Sequence, residues 1–154
     1  MTAALWPAVA AGLVQAWTAA TTWPVFDGQP LTYASLECGV AVGINPEIEQ
    51  TSGGFRQEWR DAGPAPFAAR QEAGTVRCSI WRLTGDSDGI AAARAEVFAV
   101  LDALVAASAA VTPVGVPALT SLLPVTSAEV LQQLTEDGTV YELFFTVAYT
   151  GLVI

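Results

Sequence analysis

Four glutamates, Glu37, Glu58, Glu72 and Glu142, fall on stretches that read as β-strands. Two carboxylates facing one cleft can divide general acid and general base work, as in glycoside hydrolysis, with no help from histidine. Such help is absent here, because the chain contains neither histidine nor lysine. Composition alone therefore excludes a serine–histidine triad, a histidine-ligated metal and a lysine nucleophile. Ser35, Ser52, Ser79 and Ser127 have no imidazole to activate them. All six basic residues are arginines, and five of them (Arg56, Arg60, Arg70, Arg77 and Arg82) lie between positions 56 and 82, interleaved with Glu58, Asp61 and Glu72. Strands commonly pair opposite charges across a sheet, so ion pairing explains these carboxylates better than hydrolysis does. Guanidinium also suits planar, bidentate contact with carboxylates at interfaces. The residues selected as a protein-contact surface are Arg56, Glu58, Arg60, Glu72, Arg77, Trp81 and Arg82.

Other candidate sites have simpler explanations. Gly85-Asp86-Ser87-Asp88-Gly89 opens like a calcium loop. However, Ile90 and Ala91 take the next two key positions and no glutamate closes the loop twelve residues in. Capping of a following helix accounts for the two aspartates. Gly53-Gly54 and the 85–89 glycines lack phosphate-loop spacing and its lysine. Cys38 and Cys78 lie in apolar strand-like runs and read as buried thiols; a disulfide between adjacent strands is a second possibility that spacing does not decide. Neither a metal nor a cofactor is expected.

A chain of 154 residues suits one domain spanning 1–154, long enough to bury a core without staples. It is 53% hydrophobic but only 14% charged, so sizeable apolar surface should remain exposed, which favours association. The net charge of −9 opposes nucleic-acid binding and anionic membranes. Residues 1–20 are apolar but carry no basic n-region, and Gly12, Gln15 and Thr18 interrupt them. They read as neither signal peptide nor membrane span, which makes cytoplasmic synthesis the default.

The elements that must position these residues follow from periodicity. Apolar spacing predicts a helix over 2–20, capped by Thr2 with Pro7 in its first turns, and a second over 88–110 on a stripe of Ile90, Val97, Leu101, Leu104 and Val105. Alternation predicts strands over 33–44, 55–60, 68–83 and 140–153, with extended pieces at 23–26, 119–123 and 129–134. Asp137-Gly138 predicts a tight hairpin before the last strand. On 68–83, Val76, Cys78 and Ile80 share one face, while Arg77, Ser79 and Trp81 share the other, where arginine and indole can stack. The expected fold is α+β: a mostly antiparallel sheet covered on one face by two helices. Its other face looks too mixed for a core and is expected to be open to partners.

With these residues in place, the chain resembles tail terminator (minor tail) proteins of long-tailed bacteriophages with non-contractile tails, most closely those of actinobacterial phages. The resemblance lies in Gly53-Gly54-Phe55-Arg56-Gln57-Glu58-Trp59, Arg70-Gln71-Glu72, Val76-Arg77-Cys78, the run from Trp81 to Asp88, Ala93-Arg94 and the Thr135-Glu136-Asp137-Gly138 hairpin. It implies a non-enzymatic virion protein, made in the host cytoplasm, that forms a homohexameric ring at the head-proximal end of the tail. The ring would dock on the tail tube protein, end tube polymerisation and offer a joining surface to the head–tail connector. DNA would pass through without specific binding. Another neck protein (a tail-completion or head-closure subunit) would have a similar composition. From a different class, a small hydrolase using Glu58 and Glu72, or a ligand-binding domain, is the remaining alternative.

Overall fold

A computed structural model describes residues 5–28, 30, 37–44, 55–61, 70–85, 89–109, 115–116, 118–135 and 138–153. In chain order these form α1 (Trp6–Ala20), β1 (Val25–Asp27), β2 (Cys38–Val42), β3 (Phe55–Asp61), β4 (Arg70–Thr84), α2 (Ile90–Ser108), β5 (Leu119–Thr135) and β6 (Gly138–Val153). The fold is α+β. Its sheet runs β1-β2-β4-β6-β5, with β3 also on β4. All pairings are antiparallel except β1 with β2.

β4 is the spine. It pairs with β6 from Arg70 opposite Val153 to Thr84 opposite Thr139. Its other side is shared: β3 takes Arg70 to Val76, and β2 takes Cys78 to Arg82. The alternation of both long strands turns Val76, Cys78, Ile80, Leu143, Phe145, Val147 and Tyr149 to one side, all buried. Against them pack Val9, Leu13 and Trp17 of α1 and Val97, Leu101 and Leu104 of α2. Trp17 joins the layers, with its ring 5.7 Å from that of Phe145 and its indole N–H donating to Ser108 Oγ at 3.0 Å. Truncating such a buried side chain costs about 2–5 kcal/mol, so this layer carries much of the fold's stability.

Several expectations need correction. The first helix begins at Trp6, with Leu5 at its cap and no side-chain cap from its own segment; Thr2 lies outside the described residues. The two extended pieces at 119–123 and 129–134 are one strand, β5, whose register slips between Leu119 and Ser121 and between Leu123 and Ser127. Pro124 sits in the second slip, where an edge strand tolerates a residue with no N–H. The far face of the sheet is not open throughout. Ala41, Ile44, Trp81 and Val140 form a second small core there, with Phe26, Leu83 and Phe144 against it. The expected caps Asp86 and Asp88 and the polar stretch 45–54 lie outside the described residues.

The hairpin is as expected in place. Thr135 pairs with Gly138, whose φ of +134° favours glycine. A Cβ there would collide with the Thr84 carbonyl and lie 3.3 Å from Gly85 Cα.

Candidate functional site

The carboxylates of β4 and β6 do not converge. Glu72 pairs in register with Gly151, nine positions along β6 from Glu142, so the two stand roughly 30 Å apart. They also point to opposite faces of the sheet by strand alternation. Glu72 faces the helices and is 0% exposed. Its two oxygens accept the Leu5 N–H at 3.0 and 2.9 Å, and Oε1 accepts the Tyr149 hydroxyl at 2.8 Å. A strand carboxylate thus caps α1 from across the core, at the end of the helix where the macrodipole favours negative charge. Burial and the bond to Glu72 both push the Tyr149 phenol up, since each disfavours a second negative charge. These commitments make Glu72 a structural anchor placed inside the subunit rather than on a contact surface.

On the far face, Trp81 is fully buried. Its six-membered ring lies over Gly39, where an added Cβ would fall 2.6 Å from Trp81 Cη2, and Phe26 stacks on it at 5.9 Å. Glycine at 39 is required by this close approach. Glu142, opposite Trp81 in register, is also buried. Trp81, another selected contact residue, is therefore interior as well.

The arginine run separates into different places. Arg77 lies on the far face, with its guanidinium 5.5 Å from the centre of the Phe144 ring and Nη2 3.6 Å from Glu129 of β5. Arg82 points the other way; its Nε is 3.1 Å from Glu96 of α2, and its guanidinium lies 5.8 Å from the Trp23 ring. Both pair within the subunit. Arg56 and Arg60 sit on β3 opposite Thr75 and Gln71, and Glu58 sits opposite Ala73. One contiguous patch of all five arginines does not form, because residues an odd number apart on a strand face opposite ways.

Cys38 and Cys78 are free thiols. Cys38 is opposite Arg82 and Cys78 opposite Val42, four positions apart along the β2–β4 ladder, about 13 Å, which is beyond disulfide reach. Burial pushes the Cys78 thiol up to about 12, so it stays protonated and unreactive at neutral pH. Among the described residues no cluster of three histidine, cysteine or acidic side chains could hold a metal ion. No described helix is long and apolar enough to cross a membrane.

The most distinctive surface is β5. It forms one edge of the sheet, bonded to β6 alone among the described residues. Leu123, Val125, Val130, Leu131 and Leu134 are all exposed along it, Leu134 at 83%. Its 17 residues include a single charge, Glu129, which faces Arg77. Sequence reasoning passed over this surface, although a signal existed. The adjacent pairs Leu122-Leu123 and Val130-Leu131 must point to opposite faces of a strand, so one of each pair lies away from the helical layer.

Comparison with protein-family models and with curated proteins gives no match.

Proposed function

We propose that this chain is a structural ring subunit that ends a phage tail tube at its head-proximal end and joins it to the head connector. The observation that carries this reading is the β5 edge: a 17-residue strand with five exposed large apolar side chains and a single, internally paired charge. Exposed apolar surface of this extent on an otherwise acidic chain marks association. The sequence resemblance to tail terminators supplies the identity of the assembly. A ring of identical subunits needs a heterologous contact between two different patches. β5 on one sheet edge and β3, with Arg56, Glu58 and Arg60, on the other offer two such patches.

In a hexamer the subunit charge of −9 would sum to −54. That field repels phosphates and suits a conduit that DNA crosses without sticking. The partners in this reading are a second copy of the chain, the tail tube protein and the head–tail connector protein, within the virion.

The test is a tube-assembly reaction. Purified chain added to polymerising tube protein should arrest elongation at one end, and electron microscopy should show a ring there. Tubes that lengthen normally with bare ends would rule the terminator reading out.

A further inference from the structure

We propose that the open edge of β5 pairs, strand to strand, with the β3 edge of the next copy of this chain, so that the ring is held by one sheet continuous from subunit to subunit. This deepens the reading above and rests on it.

The first ground is strand direction. Each neighbouring pair in the order β3, β4, β6, β5 is antiparallel. β5 therefore runs opposite to β3. Rotation about a ring axis to which the strands are tilted by well under 90° keeps their sense, so it brings β5 of one copy against β3 of the next in the antiparallel sense, the more stable pairing. The edges also lie on opposite sides of one sheet, as a cyclic, heterologous contact demands.

The second ground is charge. Copies carrying −9 each repel one another. The two edges escape this. Glu129 is the lone charge on β5 and is offset by Arg77. On β3, Arg56 and Arg60 balance Glu58 and Asp61. A strongly basic partner would find little to hold on β5, whereas a second copy meets no like-charge penalty along it.

The third ground is the backbone of β5, whose outer side no described residue pairs with. A long, apolar, uncapped edge strand is a template for another strand. The stretch 127–135 keeps an unbroken register against β6, beyond the slip at Leu123 and Ser127. β3, at seven residues, fits within that stretch. Within one subunit β3 lies level with the start of β5, since both are tied in register to Arg70–Val76 of β4 through β6. The pairing therefore needs an offset along the strands, of the kind that closing a sheet into a ring imposes.

The experiment uses the full chain in a Cys38→Ser background. Chains carrying Val130→Cys or Gln132→Cys, which register places on the same face of the sheet as position 57, are mixed with chains carrying Gln57→Cys, oxidised and resolved on gels, while native mass spectrometry counts subunits. The expected result is a covalent link only between a β5 cysteine and a β3 cysteine. In addition, Leu131→Glu/Leu134→Glu, which alters exposed side chains and should keep the circular dichroism of the folded chain, should lower assembly at least tenfold. A β5 cysteine linking to its own kind would mean a two-fold contact and overturn the proposal. A closed ring with no link, or one indifferent to the double glutamate variant, would overturn it too while leaving the ring reading standing. Open chains or other oligomers joined through β5 and β3 would uphold the pairing and remove the ring. A wild type that stays monomeric at every concentration and salt tested would overturn it outright.

Discussion

Glu72 is a carboxylate that composition would place on a surface and that the fold places at the centre. A buried carboxyl group is tolerated when hydrogen-bond donors meet its oxygens. Here the Leu5 N–H and the Tyr149 hydroxyl serve, with the start of α1 supplying positive potential. Replacing Glu72 with Ala leaves two buried donors without acceptors. The expected loss is about 3 kcal/mol in urea unfolding, against about 1 kcal/mol for Tyr149→Phe, which removes one bond and little volume. A Glu72→Ala variant as stable as the wild type would show that α1 is held by packing alone. The alternation around Glu72 is legible in the sequence. That it shares the face of Val76, Cys78 and Ile80 follows from this; its donors do not, because Leu5 and Tyr149 lie 67 and 77 residues away in the chain.

At the scale of elements, the two helices are joined to each other and to the sheet by contacts of unequal worth. The Trp17 indole donates to Ser108, whose hydroxyl in turn donates to the Leu104 carbonyl at 2.8 Å, all within the core. Arg82 and Glu96 tie α2 to β4 through side chains about one-third and one-half exposed. Exposed pairs contribute at most about 1 kcal/mol, whereas an orphaned buried donor costs about 1–3 kcal/mol. Ser108→Ala should therefore destabilise more than Arg82→Ala in matched chemical denaturation. The reverse order would mean that the surface pair is the stronger clamp. Element type is readable from periodicity for both helices and all the long strands except β5. Periodicity breaks β5 in two because Pro124 normally ends a strand, and only its position at the edge explains why it does not.

For the whole molecule, the proposed assembly sets neutral edges against a net charge of −9 on every copy. The contact itself is apolar and backbone-mediated, while the repulsion acts at long range. Raising salt from about 0.01 to 0.15 M shortens the screening length from about 30 to 8 Å. Assembly followed by light scattering should accordingly strengthen several-fold over that range. Weakening with salt would mean that intersubunit ion pairs dominate, and would return the contact to the arginines of β3.

The sequence by itself determined the α+β class, the faces of β4 and β6, the hairpin at Gly138 and the absence of any imidazole or lysine chemistry. Those properties are local: they follow from side-chain periodicity, turn geometry and residue inventory. Only the tertiary structure decided that Arg77 and Arg82 pair on opposite faces, that Glu72 caps a helix 67 residues away, that Trp81 closes a second core over Gly39, and that β5 pairs with β6 alone among the described residues. Each of those depends on strand order and on which layer covers which face. Such relations join residues far apart in the chain, and no short window of sequence contains them.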